Sequence, residues 1–332
     1  SEELRPVSLK LPGQAEVTEA LWLPFASGRH PATDQIEEEN LAWLREHGLL
    51  TDANQGVFRR ARFHELAGRV YHREDRDALR ITADFIAALF VLDDLMDTAT
   101  SALCQDAAQA HWAMEVVRLA AHTGHACEGQ PEGIQCIASA LADITLRVAA
   151  RGASLDRYLA ELDAYLEGVV EETRRRQRRF VDVKDYADLR VSVSAVYACI
   201  ELGLALQGRA LPGGLRPLMR AANLSVSWVN DLFSWPKERA LEEPSNLIQV
   251  LVDQRGVSEA EAFRQGCSAC NEVVRDYLSL RDAMTDAPFA TGLLERWMQG
   301  NYDWHAEGTA RYTGHLSVAP GAPQTPCLRV AA

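Results

Sequence analysis

The chain has 332 residues, enough to bury a sizeable hydrophobic core in one large domain or two smaller ones. Its net charge of −13 argues against a nucleic-acid-binding protein, whose surface has to be basic. Seven scattered cysteines, an odd number, are typical of reduced thiols and not of a disulfide framework.

The first eleven residues lack the positively charged start and the apolar stretch of a signal peptide. The longest apolar runs are too short for a membrane span, and Glu201 interrupts the run at 191–206. Cys267 and Cys270 have no second cysteine pair or histidine at zinc spacing, so we interpret them as structural residues. We therefore expect a cytoplasmic protein without a membrane span.

The spacing of apolar residues predicts helices along most of the chain. Residues 24–31 are expected to form an extended lead-in segment, after which Thr33 or Asp34 caps a helix that runs to about His47 and stops at Gly48. From the 3.6-residue periodicity and the Gly and Pro breaks, further helices are predicted at 56–71, 74–97, 102–123, 133–150, 154–179, 183–207, 214–240, 245–255, 258–285 and 288–312.

No segment shows the alternation expected of a β-strand, and no repeat of fixed period indicates a solenoid. No linker rich in Pro, Gly or Ser divides the helical part of the chain. The sequence therefore predicts an all-α bundle that forms one domain over residues 1–312, and such bundles commonly build ligand sites between facing helices. Residues 313–332, with Gly and Pro among small polar residues, are expected to form a flexible tail.

The stretch at 85–97 combines a buried helix with clustered acids. Its first eight residues are all apolar and predict a helix buried on all sides, and Asp93, Asp94 and Asp97 follow directly. Asp93 and Asp97 share a helix face because they are four residues apart. Like charges at this spacing repel, and a hard cation such as Mg²⁺ is the simplest remedy for carboxylates without nearby Cys or His. A solvated helix end is the alternative that this motif alone leaves open.

A second stretch, at 228–238, offers oxygen ligands at helical spacing. Asn230, Ser234 and Glu238 follow one another at intervals of four, and each such step turns only about 40° around a helix, so the three form one stripe. Lys237 lies beside the stripe, where it can reach an anion bound to a metal. An amphipathic helix with a polar face is the alternative, but it does not explain why all three positions offer oxygen. Two facing patches that share Mg²⁺ ions imply a ligand with several phosphate oxygens.

The most basic part of the chain is the run of arginines at 174–179. Most such runs are solvated helix faces, and we favour that interpretation here. The position of the run near a predicted helix end leaves open a contribution to binding an anionic ligand.

Together the two oxygen-bearing stretches resemble the paired metal motifs of microbial class I terpene synthases, also called terpene cyclases. The resemblance rests on Asp93-Asp94-x-x-Asp97 and on Asn230-Asp231-x-x-Ser234-x-x-Lys237-Glu238. The second motif is the more specific, because isoprenoid chain-elongating enzymes carry another Asp-rich motif in its place.

Three further segments extend the similarity to about residues 20–315. Residues 186–190 look like the segment whose arginine senses diphosphate, which makes Arg190 the candidate sensor. The pair Arg311-Tyr312 looks like the late Arg-Tyr pair that closes on diphosphate, and Trp304 with Thr309 resembles the segment before that pair.

The chain departs from the family pattern at two places. After Arg190 the family often has a small acidic or hydroxyl residue followed by Gly, whereas this chain has Val193 and Ser194. The interval from Arg190 to Asn230 is also a few residues shorter than usual, which indicates a trimmed loop near 212–214.

The resemblance implies a single helical bundle with a central active-site cavity and a Mg²⁺-dependent lyase reaction. A linear prenyl diphosphate is ionised, diphosphate leaves, and the allylic carbocation cyclises to a terpene. By resemblance, a cluster of three Mg²⁺ ions is held by Asp93, Asp97, Asn230, Ser234 and Glu238.

The remaining candidate residues bind the diphosphate or surround the carbocation. By resemblance, four side chains donate hydrogen bonds to diphosphate oxygens: Arg190, Lys237, Arg311 and Tyr312. Asp94 is expected to pair with a basic residue on closure. The candidates for an aromatic pocket wall are Phe90, Phe233 and Trp304, each weighed against an ordinary place in the core.

Farnesyl diphosphate is the expected substrate, and geranylgeranyl diphosphate is its closest competitor because sequence does not give the depth of the pocket. A chain-elongating synthase is a further alternative, against which Asn230 and Ser234 speak. A helical metal-regulated interaction protein is the non-enzymatic alternative, and it would leave the two oxygen patches on separate surfaces. The sequence leaves the oligomeric state open, and a homodimer is one of the assemblies that it allows.

Overall fold

The structure, a computed structural model, describes residues 4–97, 102–176, 178–243, 245–284 and 287–313. The predicted all-α bundle is confirmed, since helices α1 to α14 form almost all of the regular structure in these residues. The predicted tail lies outside the described residues apart from Thr313. The helices are α1 Glu37–Glu46, α2 Gln55–Ala61, α3 Phe63–Val70, α4 Arg76–Asp97, α5 Ala102–Gln105, α6 Ala107–Thr123, α7 Glu132–Ala150, α8 Asp156–Arg175, α9 Val183–Val193, α10 Val196–Leu206, α11 Arg216–Ala240, α12 Leu247–Arg255, α13 Glu259–Ala283 and α14 Pro288–Asp303.

A β-hairpin precedes the helices, so the prediction that the chain has no strand is wrong at its N-terminus. Strands β1 (Leu4–Leu9) and β2 (Val17–Trp22) pair antiparallel. The hairpin is held against α13 by Asn271, whose amide oxygen accepts from the Trp22 backbone N–H at 2.6 Å and whose amide nitrogen donates to the Ala20 carbonyl at 3.1 Å. This long-range contact, and not a long local alternation, stabilises the two short strands.

The first helix starts later than predicted. The Thr33 hydroxyl donates to the His30 carbonyl at 2.6 Å, and the Asp34 carboxylate pairs with Arg29, so neither side chain caps a helix. Helix α1 begins at Glu37 instead. The predicted stop is present, because Gly48 has a φ of 74°, a left-handed conformation that glycine adopts without strain.

Several predicted helices are interrupted. The helix predicted at 56–71 is divided into α2 and α3 by Arg62, and the one at 183–207 into α9 and α10 at Ala195; both residues have left-handed backbone with φ of 54° and 59°. The helix predicted at 102–123 restarts at Asp106, whose side chain caps α6. The last predicted helix ends at Asp303 and continues as one π-helical turn, Trp304–Gly308.

Two stretches are long and apolar enough to span a membrane by length and composition, contrary to the expectation above. They are Glu132–Ala150 and Val183–Leu206. Of the most apolar window in each, 56% and 72% is buried inside the bundle. Burial of this kind is typical of the core helices of a helical domain.

A buried carboxylate anchors α4, the helix that carries the first acidic motif. Asp84 is completely buried and accepts hydrogen bonds from Asn40 of α1 at 2.7 Å, from Arg80 at 3.0 Å and from Arg147 of α7 at 2.7 Å. Its charge is therefore balanced by two guanidinium groups, as a buried charge requires. The three partners fix the position of α4 against α1 and α7.

We predict that Asp84→Ala lowers the free energy of unfolding by about 3–5 kcal/mol, because two arginines then lose the buried anion between them. Urea unfolding at neutral pH measures this change. Asp77→Ala on the same helix is the matched control: its carboxylate pairs with Arg151 but its side chain is 63% exposed, so the loss should stay below about 1 kcal/mol. Equal losses for the two variants would contradict this role of Asp84.

Candidate active site

One cavity of about 990 Å³, counting its open mouth, lies between helices α3, α4, α8, α9, α10, α11 and α14. Along α4 its lining changes from Ile86 and Leu89 to Asp93 and Asp97. Along α11 it changes in the same way, from Val226 to polar side chains. The cavity therefore has an apolar part and an acidic part, which is the usual composition of a ligand pocket with a few orienting polar groups.

The two oxygen-bearing stretches meet at the acidic part. Asp93 and Asp97 of α4 line the same cavity as Asn230 and Glu238 of α11. Ser234 lies between the latter two along α11; it is 1% exposed and is not among the residues that line the cavity. The non-enzymatic alternative requires the two patches to lie on separate surfaces. In the structure they line one cavity instead.

Asp93 is exposed at the cavity wall and has other acids as neighbours. Its pKa is raised well above the ordinary value, first because it has lost bulk water and then because Asp97, Asp94 and Glu172 are negative neighbours. Loss of bulk water and the negative charges of Asp97 and Glu243 likewise raise the pKa of Glu172 to about 8. This concentration of negative charge is the electrostatic environment in which a bound cation is most favourable.

On α11, the negative charge of Glu238 is disfavoured in the same way as that of Asp93. Burial, followed by the charge of Asp231, raises the pKa of Glu238 to about 7, although the amide of Asn246 donates to its carboxylate at 2.6 Å. The Ser234 hydroxyl lies close enough to favour the charged carboxylate, yet its oxygen makes no hydrogen bond of normal geometry with any described residue. An amide, a hydroxyl and a carboxylate on one stripe suit a hard divalent cation.

Among the described residues, no three Asp, Glu, His or Cys side chains converge closely enough to hold a metal ion by themselves. Mg²⁺ keeps waters and takes one or two carboxylates together with ligand phosphates, so its oxygen ligands are of the kind that α4 and α11 present to the cavity. The residues present fit such an ion.

Asp94 pairs with two cations. It accepts from both terminal guanidinium nitrogens of Arg311, at 2.7 and 3.2 Å, and from the Lys237 ammonium at 3.4 Å. Burial alone would raise the pKa of Asp94, but the two cations hold it below its ordinary value. Two of the predicted anion-binding residues are therefore already gathered around one carboxylate.

Arg190 lies at the cavity wall beside Asp231, the second residue of the α11 motif. Its guanidinium donates to Asp231 at 2.9 Å and to the amide oxygen of Asn230 at 3.1 Å. Asp231 is 1% exposed and also accepts from the Tyr186 hydroxyl and from the backbone N–H of Leu247 at 2.9 Å. The buried carboxylate thus orients the guanidinium from behind.

One arginine of the basic run is not solvated, which corrects the interpretation of the whole run as a solvated face. Arg176 is 16% exposed and donates to Asp97 at 3.1 Å and to Glu243 at 2.7 Å. Both carboxylates line the cavity. The arginines of this run are adjacent in the sequence, and nothing in the sequence indicates which of them faces the protein interior. Arg176 could therefore not be identified before the structure was known.

Phe90 is the one of the three proposed wall aromatics that lines the cavity. Its ring stacks on Phe63 at 4.5 Å, and the Arg311 guanidinium lies 5.0 Å from its centroid. Trp304 and Phe233 are not among the lining residues, which corrects the expectation for both. Trp304 packs behind Phe90 at 5.6 Å between centroids, and Phe233 packs on the ring of His305 at 5.3 Å.

The interruption between α2 and α3 explains why Trp304 and Thr309 accompany the late Arg-Tyr pair. The Trp304 indole N–H donates to the Arg62 carbonyl at 3.0 Å, and the Thr309 hydroxyl donates to the Ala61 carbonyl at 2.6 Å. The Ala310 N–H donates to the Arg60 carbonyl at 2.8 Å. These carbonyls lie at the break between α2 and α3, where that of Arg62 also accepts from the Glu65 N–H at 3.0 Å. They hold the C-terminal segment so that the Arg311 guanidinium lies 5.0 Å from the ring of Phe90, which lines the cavity.

His305, which the sequence motifs did not identify, connects this segment to the α11 stripe. Its ring is buried, which lowers the pKa of His305 to about 4. One ring nitrogen lies 2.8 Å from the amide nitrogen of Asn230, and the ring stacks on Tyr312 at 5.4 Å. The same amide nitrogen donates to the Tyr312 hydroxyl at 3.2 Å. His305 follows Trp304 directly in the chain, and that adjacency is the only sequence signal for it.

The residues shortly after Arg190 lie where α9 and α10 separate. Val193, Ser194 and Ala195 all line the cavity. The Ser194 hydroxyl donates to the side-chain oxygen of Asn223 at 2.7 Å and accepts from the Val196 N–H at 3.3 Å, so it is held by α11 and by the helix break.

Residues 84–276 match the family described as terpene synthase family 2, C-terminal metal binding. This range includes both oxygen-bearing stretches, Arg190 and the helix break at Ala195.

Two characterised relatives match nearly the whole chain. The (+)-T-muurolol synthase of Roseiflexus castenholzii, named as (2E,6E)-farnesyl diphosphate cyclizing, is 32% identical over 89% of this chain and 94% of its own length. The 4-epi-cubebol synthase of Streptosporangium roseum, named in the same way, is 29% identical over 87% of this chain and 90% of its own length.

Solved structures share the fold. Wild-type cucumene synthase superposes with a TM-score of 0.71 at 22% identity, covering 86% of this chain and 99% of that one. The α-eudesmol synthase superposes with a TM-score of 0.70 at 20% identity, covering 86% of this chain and 97% of that one.

We predict that Thr309→Val loosens the C-terminal segment without unfolding the protein. The substitution removes the hydroxyl that donates to Ala61 and accepts from the Arg311 N–H at 3.1 Å. At about 1 kcal/mol per hydrogen bond, the opened population should rise at least about fivefold. Limited trypsin cleavage after Arg311, followed by mass spectrometry, measures this population. Thr309→Ser keeps the hydroxyl and should be cleaved at the wild-type rate; equal cleavage of Thr309→Val would contradict the anchoring role.

Proposed function

The chain belongs to the terpene synthase family, and from that premise we propose that it cyclises farnesyl diphosphate to a sesquiterpene. It is a metal-binding terpene synthase, a carbon–oxygen lyase that acts on a prenyl diphosphate. The observation that carries the proposal is one cavity with two oxygen-bearing helix ends at its polar part and apolar side chains in the rest. We further propose that residues 1–312 form a single catalytic domain of a cytoplasmic enzyme, with a homodimer as the assembly to test.

The chain length of the substrate is inferred from the relatives. Both characterised relatives described above are named for cyclising farnesyl diphosphate, and they match most of this chain. Geranylgeranyl diphosphate remains the competitor to be tested. A chain-elongating synthase is disfavoured, because Asn230 and Ser234 stand where such enzymes carry acidic residues.

For the metal, we propose a cluster of three Mg²⁺ ions with Asp93 and Asp97 on one side and Asn230, Ser234 and Glu238 on the other. When bound, such ions stabilise the charge that develops on departing diphosphate. The raised pKa values of Asp93 and Glu238 support this assignment, because carboxylates whose charge is disfavoured by burial and by neighbouring acids gain most from binding a cation.

For the diphosphate, we propose that Arg190, Lys237, Arg311 and Tyr312 donate hydrogen bonds to its oxygens. Asp94 holds two of these cations, Arg311 and Lys237, together before substrate arrives. Asp231 does the same for Arg190. Charged donors that are already oriented stabilise the leaving group without a cost of reorganisation.

For the carbocation, we propose that the apolar part of the cavity folds the chain and excludes water. Phe90 offers the face of its ring, and cation–π attraction is worth up to about 2 kcal/mol when water is excluded. Closure of the anchored segment with Arg311 over the cavity protects the cation from early capture by water.

Incubation of the protein with Mg²⁺ and geranyl, farnesyl or geranylgeranyl diphosphate tests the proposal, with analysis of volatile products and of released diphosphate. We expect cyclic C15 products from farnesyl diphosphate. Cyclic C20 products alone would overturn the substrate assignment, and a linear, longer prenyl diphosphate would indicate chain elongation.

We predict that Glu238→Gln lowers turnover of farnesyl diphosphate at least about 100-fold while the thermal midpoint changes little. The amide keeps the size of the side chain and an oxygen that can accept from Asn246, but it loses the charge that a metal ion requires. Turnover is measured by diphosphate release and folding by circular dichroism. Near-normal activity would remove Glu238 from the proposed metal site.

We predict that Phe90→Ala changes the ratio of terpene products more than the rate of diphosphate release, because the ring borders the cavity where the carbocation folds. Phe85→Leu is the matched control on the same helix: Phe85 is fully buried against Tyr158 and does not line the cavity, so its product ratio should match wild type. Gas chromatography of both variants measures the ratios, and an unchanged profile for Phe90→Ala would return Phe90 to the core.

A further inference from the structure

We propose that His305 is a positioning residue that orients the Asn230 amide, so that the amide oxygen and not the amide nitrogen faces the metal stripe. The inference rests on the proposed metal site and assigns a task to a residue outside both metal motifs. It follows from a series of linked hydrogen bonds in which the donor and the acceptor of each bond are determined by the bond before it.

The His305 ring is held rigidly. It is 5% exposed and lies on the π-helical turn that follows α14. Its face stacks on the Tyr312 ring at 5.4 Å with an angle of 7° between the planes. Phe233 packs on it at 5.3 Å and the edge of Trp304 at 4.8 Å. Aromatic neighbours therefore keep the ring from turning over.

The backbone decides which ring nitrogen carries the proton. His305 Nδ1 lies 2.7 Å from the carbonyl oxygen of Asn301, which is an acceptor only, so Nδ1 must donate. In the neutral ring, Nε2 is then an acceptor. Its partner at 2.8 Å is Asn230 Nδ2, which donates to it.

The same polarity fixes the amide. Asn230 Nδ2 uses its second hydrogen toward the Tyr312 hydroxyl at 3.2 Å, so both hydrogens of the amide are engaged on the His305 side. The amide oxygen accepts from Arg190 at 3.1 Å. An amide turned by 180° would place its oxygen against the Nε2 lone pair and its NH₂ group against a guanidinium, losing these bonds and adding repulsion.

The consequence bears on metal binding. An amide can coordinate Mg²⁺ only through its oxygen, since the NH₂ group has no lone pair to offer. The partners behind a metal ligand typically change metal affinity about 10–100-fold when they are removed. The Tyr312 ring also stacks on the face of His305. His305 therefore contacts both Asn230, the proposed metal ligand on α11, and Tyr312 of the late Arg-Tyr pair.

The experiment compares His305→Phe with His305→Gln. Phenylalanine keeps a planar ring for the stack but offers no acceptor, whereas glutamine offers an amide oxygen near the position of Nε2. Isothermal titration of inorganic pyrophosphate at graded Mg²⁺ concentrations measures the Mg²⁺ needed for half-maximal binding, without turnover. We expect this concentration to rise about 10-fold for His305→Phe and to return to within about threefold of wild type for His305→Gln.

A second background separates orientation from packing. In Asn230→Asp the carboxylate presents oxygen whichever way it turns, so adding His305→Phe should change the Mg²⁺ requirement less than about twofold. An equal loss in both backgrounds, or wild-type Mg²⁺ dependence in His305→Phe alone, would overturn the inference. If His305→Phe does not yield folded protein, His305→Leu takes its place in the same cycle, since it also removes the acceptor.

The outcome is distinguishable from failure of the proposed function. A wild-type protein that turns over no prenyl diphosphate, but in which His305→Phe weakens Mg²⁺-dependent pyrophosphate binding, would reject the cyclase assignment and support the positioning role. A protein that cyclises farnesyl diphosphate while His305→Phe binds Mg²⁺ and pyrophosphate normally would do the reverse.

Discussion

The polar half of the cavity depends on one buried carboxylate, that of Asp231. It accepts from Tyr186 and Arg190 of α9 and from the first N–H of α12, while its own helix presents Asn230 and Glu238 to the cavity. A charge that is 1% exposed is tolerated only where its partners are complete. The bonds that satisfy Asp231 therefore also fix the guanidinium and the stripe in relation to each other.

A second constraint acts on the C-terminal segment. The left-handed backbone at Arg62 ends α2, and the carbonyl groups of Arg60 and Ala61 at that helix end are available to partners outside the helix. Trp304, Thr309 and Ala310 donate to three consecutive carbonyls at 60–62, so the segment with Arg311 is held where Asp94 can pair with it. An irregularity outside both acidic motifs thus decides where the cation that pairs with Asp94 lies.

Much of the architecture could be predicted because it follows from local pattern. The apolar period of 3.6 located the helices, and the intervals of four within 93–97 and 230–238 placed oxygen atoms on common helix faces. What failed depended on contacts between distant parts of the chain. The hairpin is stabilised by Asn271, some 250 positions away, and the breaks at Arg62 and Ala195 occur without Gly or Pro to mark them. Phe233 and Trp304 were assigned to the pocket wall because an aromatic residue near a motif does not reveal which way it points.

The sequence by itself determined the helical bundle, the two oxygen-bearing stretches and the family resemblance, because residue type and spacing along one helix are local properties. Only the tertiary structure decided which charged groups meet. The pairing of Arg176 with Asp97, the engagement of Asp94 by Arg311 and Lys237, and the contact of His305 with Asn230 join residues 75 to more than 200 positions apart. The physical reason is that a side chain's charge state and its orientation are set by its neighbours in space, and those neighbours exist only once the helices have packed.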